Sequence, residues 1–169
     1  MSVQFQTIWE NYPNTDQPCV ETRTHRPAFE NQCAIRVSYA LRQSGISFAN
    51  FRGSRCPPST STSGLPTVAQ QLADWLNTRP FSECPRSESY PGDRVFDAIE
   101  DRTGIVFFAN YWQRHGESGN ARTGDHIDLW NGSRLTTTFS WFRVHMGISW
   151  DGLFSDFRLA PRTVFWNIP

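Results

Sequence analysis

Lysine is absent from this chain of 169 residues, so all sixteen basic side chains are arginines, balanced by sixteen acidic ones. Zero formal charge with no basic cluster excludes the electrostatic footprint of a nucleic-acid or anionic-membrane surface. Arginine can grip carboxylates in a bidentate fork that lysine cannot reproduce, but nothing in the sequence accounts for the missing lysines. No apolar run approaches the roughly twenty residues of a membrane span. No charged segment followed by an apolar stretch opens at Met1-Ser2-Val3-Gln4-Phe5, so a cleaved secretion signal is not expected. Cysteine is sparse, at positions 19, 33, 56 and 84, and without a Cys-x-x-Cys pair a zinc ribbon is excluded.

Against these absences, hydrophobic content of 38% with 14% aromatic residues is too high for a disordered chain. A core of this size buries well without metals or staples, so one domain over residues 1–169 is expected, and no cofactor.

The organising stretch is Glu30-Asn31-Gln32-Cys33-Ala34-Ile35-Arg36-Val37-Ser38-Tyr39-Ala40-Leu41. Asn31 is a preferred capping type, and apolar Ile35, Val37, Ala40 and Leu41 leave Arg36 and Arg42 for a more polar side. The pattern predicts a helix that begins at or beside Cys33 and stops at Ser44-Gly45. The free amides of a helix start favour thiolate over thiol and can hold an oxyanion. A cysteine so placed is also an ordinary buried hydrophobe or half of a disulfide, and the catalytic reading needs a second signal.

That signal is Thr123-Gly124-Asp125-His126-Ile127-Asp128-Leu129-Trp130-Asn131-Gly132. Ile127 and Leu129 alternate with His126, Asp128 and Trp130, the period of a strand that ends on an Asn-Gly turn. His126 and Asp128 then share a face, as a base and its orienting carboxylate would. A cysteine at a helix start followed by a strand histidine is the order of papain-like hydrolases.

The two stretches resemble the type VI secretion amidase effectors, fourth subfamily, in the NlpC-like branch of papain-fold cysteine peptidases. Asn31, Cys33, Ile35, Arg36, Ser38, Tyr39 and Leu41 carry the likeness in the first block. In the second they are Gly124, His126, Leu129, Trp130, Asn131, Gly132 and Ser133, and the tail Val164-Phe165-Trp166-Asn167-Ile168-Pro169 looks like the family's closing strand. The resemblance runs from about Ala28 to the end. It implies an α+β NlpC-like amidase domain with Cys33 as nucleophile and His126 as base, and a central helix packed on a mainly antiparallel sheet. It further implies attack on peptidoglycan stem peptide, at the γ-D-glutamyl to diaminopimelate bond, in the periplasm of a rival bacterium. Delivery would be by the type VI secretion machinery, and a cognate immunity protein would be the partner.

In relatives the orienting carboxylate follows the histidine by about eleven residues, where this chain has Thr136-Thr137-Thr138. Asp128 is the best remaining carboxylate, with Asp125, a threonine hydroxyl or a backbone carbonyl as alternatives. Arg36 could pair a substrate carboxylate and Trp130 could touch the peptide, although a salt bridge and packing are the plainer roles of such residues. A metal-dependent hydrolase would use His126 and Asp128 with His115 or His145, but no His-Glu-x-x-His is present. A non-catalytic wall-binding or inhibitor domain on the same fold is the other rival.

Elsewhere, Phe5, Ile8, Trp9 and Tyr12 at helical spacing predict a first helix. His25 falls in a polar loop. Residues 52–64, rich in Pro, Ser and Thr, read as a surface loop or binding rim, and Cys56 and Cys84 flank a region that could suit a bridge. Val68, Leu72, Trp75 and Leu76 predict a core helix from Pro66 or Thr67. Residues 80–93 read as irregular and Val95–Ile99 as a short helix or connector. Gly104–Ala109 reads as a buried strand paired with the His126 strand, with Asn110–Asn120 joining the two and Trp112 packing. Aromatic segments around Phe139–Phe142 and Phe154 lead to a last strand at Thr163–Ile168.

Overall fold

The computed structural model describes residues 3–15, 17–112, 123–136 and 157–169. They gather into two units, Met1–Pro85 and Arg86–Pro169. Among the described residues no helix is long and apolar enough to cross a membrane.

The first unit holds helices α1 (Phe5–Glu10), α2 (Cys33–Gln43) and α3 (Ala69–Asn77). α1 buries Phe5 and Ile8 and ends before Tyr12, two residues short of its apolar stripe. α2 is the expected central helix, with Cys33, Ile35, Val37, Ala40 and Leu41 all buried. Its end is a Schellman motif, in which the Ile46 amide donates to Leu41 O and the Gly45 amide to Arg42 O, both at 3.0 Å. Gly45 takes φ +88 there, a backbone that a side chain would strain. The start differs from expectation by one residue: Gln32 holds the cap position, and Asn31 Oδ1 reaches past it to accept the Cys33 amide at 3.3 Å.

α3 begins later than expected. Val68 lies in extended backbone before the first turn and is 37% exposed, so it drops out of the core that Leu72, Trp75 and Leu76 form. Trp75 packs on Phe48 with ring centroids 4.7 Å apart and donates its indole N–H to Asn50. The Pro/Ser/Thr-rich stretch is not a loose surface loop, because arginine and hydroxyl groups satisfy its backbone. The Arg55 guanidinium donates to the carbonyls of Gly64, Phe48 and Phe51, each at 2.7 Å, and Cys56, Thr60, Thr62 and Leu65 are buried. Five charge-assisted donors in a fixed fork suit that job better than a flexible ammonium.

The second unit is a four-stranded sheet of β1 (Ser87–Tyr90), β2 (Gly104–Trp112), β3 (Gly124–Trp130) and β4 (Arg162–Asn167). Their order is β1-β4-β2-β3, and every pairing is antiparallel. The predicted pairing of the Gly104 and His126 strands is present, with Phe108 opposite His126 and Val106 opposite Asp128. β2 runs three residues further than expected, so Asn110, Tyr111 and Trp112 belong to the strand and not to the connector. The rest of that connector with His115, the side chain of Trp112, Thr137, Thr138, Phe139–Phe142, His145 and Phe154 lie outside the described residues.

One face of the sheet carries Val106, Phe108, Trp130 and Phe165 and packs with α4 (Val95–Ile99), Leu135 and the 3-10 turn Phe157–Leu159. Burying each such side chain stabilises by roughly 1.5–3 kcal/mol, so this cluster is one support of the sheet. Ile105, Phe107, Ile127, Leu129, Val164 and Trp166 alternate onto the other face and are buried too.

β1 was not expected, since Ser87-Glu88-Ser89-Tyr90 has no apolar alternation. Arg102 holds it instead. Its Nη1 donates to Glu88 Oε2 at 3.0 Å and its Nη2 to Oε1 at 2.5 Å, while its guanidinium sits 5.0 Å above the Phe165 ring. The Arg102 hydrogen bonds, followed by that from Tyr90, pull the Glu88 carboxyl below its usual 4.5. Both side chains of the pair are about a third exposed, so the ion pair fixes position more than it adds stability.

Because Glu88 has a lowered folded pKa, its contribution is present above pH 4.5 and lost as pH falls through the folded value. Thermal midpoints measured from pH 7 to pH 3 should therefore fall less steeply for Glu88→Gln than for the natural chain. A Cβ on Gly104 would run into the Trp166 carbonyl oxygen across the β2–β4 ladder, where backbone cannot retreat cheaply. Gly104→Ala should cost at least about 2 kcal/mol in urea denaturation.

Candidate active site

Cys33 is the first residue of α2 and is buried. The turn before it is fixed by Gln32, whose Oε1 accepts the Cys19 amide at 2.7 Å and whose Nε2 donates to the carbonyls of Cys19 and Phe29. A single buried amide thus locks residues 19 and 29 to the helix entry. The backbone of Gln32 opens the helix by accepting the Arg36 amide at 2.9 Å. The sulfur accordingly sits at the positive end of the helix dipole, where a thiolate is favoured.

His126 and Asp128 are brought together on β3, with His126 Nε2 3.4 Å from Asp128 Oδ2. That is long for a charge-assisted bond, which runs nearer 2.7–2.9 Å, yet close enough for the carboxylate to favour one ring orientation. Asp128 is 0% exposed. Its other oxygen, Oδ1, accepts the Leu129 amide at 2.8 Å and the Thr136 hydroxyl. The imidazole is boxed by Phe108, Tyr111 and Phe157, with centroids 6.4, 6.1 and 5.4 Å away. Sequence spacing placed the histidine and aspartate on one face, but it gave no hint of Phe157 or Tyr111 as walls.

A sequence model of the family described as "Type VI secretion system (T6SS), amidase effector protein 4", or Tae4, matches residues 29–166. The chain belongs to the Tae4 family. Membership makes it an amidase effector of type VI secretion that acts on peptidoglycan, delivered to target bacteria. No curated protein sequence matches it. Among solved structures, the effector of the Tae4/Tai4 system from Salmonella typhimurium, a selenomethionine variant, is similar at 21% identity and TM-score 0.62 over 100% of both chains. Tae4 from Enterobacter cloacae is similar at 17% identity and TM-score 0.62, over 100% of this chain and 98% of that one. The Salmonella typhimurium effector in complex with the Enterobacter cloacae immunity protein Tai4 gives 20% identity and TM-score 0.63 over 98% and 99%. These likenesses show the fold, the α+β, NlpC-like papain fold of Tae4 effectors.

Within that Tae4 fold the alternatives for orienting His126 can be placed. Asp125 Oδ1 accepts the Asn110 amide at 2.9 Å, where the β2–β3 register shifts and Asn110 takes φ +52, so it serves the ladder. The Thr136 hydroxyl contacts Asp128 and not the imidazole. The Arg36 guanidinium stacks 5.9 Å over the Tyr12 ring and the residue is buried. Trp130 is 1% exposed, packs on Phe96 and donates its indole N–H to Ile99 O at 2.9 Å. The structure thus gives Trp130 a core role; it borders a cavity of about 310 Å³ with Asp93, Asp97 and Glu100 that contains neither His126 nor Asp128. Among the described residues no group of three or more His, Cys, Asp or Glu could hold a metal ion.

Two of the remaining thiols, Cys56 and Cys84, are buried in a way that disfavours the thiolate. Burial pushes Cys84 up to about 11, offset in part by Arg79, and pushes Cys56 up to about 12. All four cysteines are free, which for Cys56 and Cys84 is the alternative to a bridge between them, and the thiol beside Cys56 is that of Cys19. Cys84 instead points its thiol at the Leu76 carbonyl, 3.6 Å away. Iodoacetamide at pH 8 should leave Cys56 and Cys84 unmodified in the folded chain and modify both after denaturation, as read by peptide mass spectrometry.

Proposed function

We propose that Cys33 is the nucleophile and His126 the base of a cysteine amidase that cleaves the peptidoglycan stem peptide, with Asp128 as the orienting carboxylate. The observation that carries this reading is the contact of His126 with the fully buried Asp128, in a chain whose family match also spans Cys33. In this scheme His126 keeps Nε2 toward Asp128 and takes the thiol proton on Nδ1. The Cys33 thiolate attacks the amide carbonyl, and amides at the start of α2 stabilise the oxyanion. His126 then protonates the leaving amine, and water hydrolyses the thioester.

The bond we assign is that between γ-D-glutamate and diaminopimelate, and the place of action is the periplasm of the target cell. Residues 1–169 act as one amidase domain. The Salmonella typhimurium and Enterobacter cloacae effectors are solved in complex with Tai4, and we assign this chain a cognate immunity protein of that kind. Arg36, stacked on Tyr12 beside the start of α2, is our candidate for pairing a substrate carboxylate.

Cys33→Ala and His126→Ala should each lower the release of soluble fragments from purified sacculi by about 10³-fold or more while thermal midpoints stay near that of the natural chain. Asp128→Asn, which removes the charge and keeps the shape, should lower it by about 10²-fold or more. Mass spectrometry of the fragments names the bond. Unchanged fragment release by Cys33→Ala would overturn the cysteine mechanism, and an intact antibacterial effect with no fragment release would return the chain to a binding role.

A further inference from the structure

The Cys19 and Cys56 thiols are neighbours, both buried in the first unit, on segments that run side by side. Their backbones are held on either side. Residues 18–22 run antiparallel to 59–61, with the Ser61 amide donating to Val20 O, the Thr22 amide to Ser59 O and the Ser61 hydroxyl to Pro18 O. Cys19 is fixed by both ends of the Gln32 amide, and Cys56 by its ladder to Leu65 and Gly64. The Thr62 hydroxyl donates to the Cys56 sulfur at 3.4 Å. Neither sulfur has a place in the amidase chemistry. Two neighbouring thiols held by fixed backbone on both sides need little rearrangement to be joined.

We infer that Cys19 and Cys56 are a disulfide site, reduced in the cytosol that makes the protein and oxidised to a Cys19–Cys56 bond in an oxidising compartment. The inference goes beyond the amidase reading and rests on it only for the compartment. The oxidant is the disulfide of a thiol–disulfide oxidoreductase or of oxidised glutathione. One thiolate attacks that disulfide and a mixed disulfide forms. The second thiolate then displaces the oxidant's remaining sulfur as a thiol. Cys19 and Cys56 together lose two protons and two electrons, and the oxidant's S–S bond is reduced to two thiols. The loop so closed runs from residue 19 to residue 56 and contains Gln32 and Cys33, so the cross-link tightens the chain around the proposed nucleophile. A bond of this kind stabilises mainly by restricting the unfolded chain.

The test uses the full chain carrying Cys33→Ser, with Cys33→Ala as a second background, refolded from denaturant in a glutathione redox buffer. The expected product has one free thiol, at Cys84, a mass lower by about 2 Da with no bound glutathione, and fragment ions that join Cys19 to Cys56. Its thermal midpoint should exceed that of the reduced form by roughly 5–10 °C. Cys84→Ala added to either background should leave the bond intact, and Cys19→Ala or Cys56→Ala should remove both bond and shift. Three free thiols after refolding, glutathione retained on Cys19 or Cys56, or any bond to Cys84 would overturn the assignment. None of these readouts depends on amidase activity, so its failure is distinguishable from failure of the proposed function.

Discussion

A carboxylate with no contact to water must be answered by protein groups, and Asp128 imposes that demand on everything around it. Its Oδ1 is satisfied by the Leu129 amide and the Thr136 hydroxyl, and its Oδ2 faces His126. Removing solvent from an ion costs several kcal/mol, whereas one such neighbour returns only about 1.5–3 kcal/mol. The site therefore depends on all three partners at once. β3 supplies two of them, the His126 ring by its alternation and the Leu129 amide by the next backbone step, and the third comes from the segment after the Asn131-Gly132 turn. That turn is itself fixed, with Asn131 Oδ1 accepting the amides of Ser133 and Arg134 and Gly132 at φ +95. The residues that shape the turn thus also serve the carboxylate.

At the start of α2 a neutral group does the same work. Gln32 has one acceptor and two donors on its side-chain amide, and the structure uses them on Cys19 twice and on Phe29. A polar residue just before a helix is ordinarily read as a cap for the helix itself. Here its side chain turns away from the helix, and Asn31 takes over the contact with the Cys33 amide. The entry to α2 is consequently set by long-range ties and by the buried stripe of Ile35, Val37 and Leu41 more than by a local cap.

Much of this was legible in sequence where the signal is periodic. The helix from Cys33 to a glycine stop and the strand of His126 and Asp128 follow from spacing, the Gly104–Ala109 strand from its β-branched and aromatic run, and the closing strand near residue 163 from the family resemblance. What escaped detection lacks periodicity. β1 is polar and is held by Arg102, a residue twelve positions past Tyr90. Val68 fits the apolar stripe of α3 but sits one residue outside the helix, where the stripe no longer predicts burial. The loop of residues 52–64 has the composition of a mobile segment, yet the Arg55 fork satisfies three of its neighbouring carbonyls at once. Phe157 reaches His126 from far along the chain, a contact that no local pattern announces. Pairing among cysteines is equally non-local, so the sequence left the bridge between Cys56 and Cys84 open against two free thiols.

The strand order β1-β4-β2-β3 has a kinetic meaning. β4 is the last of the four in the chain but lies between the first and the second. During vectorial synthesis only the β2–β3 hairpin can zip locally, while β1 waits as an unpaired ribbon with exposed backbone. Sheet closure is then a late, high-contact-order event, and until it occurs the hairpin carries an open edge on which a chaperone or a second nascent chain can settle.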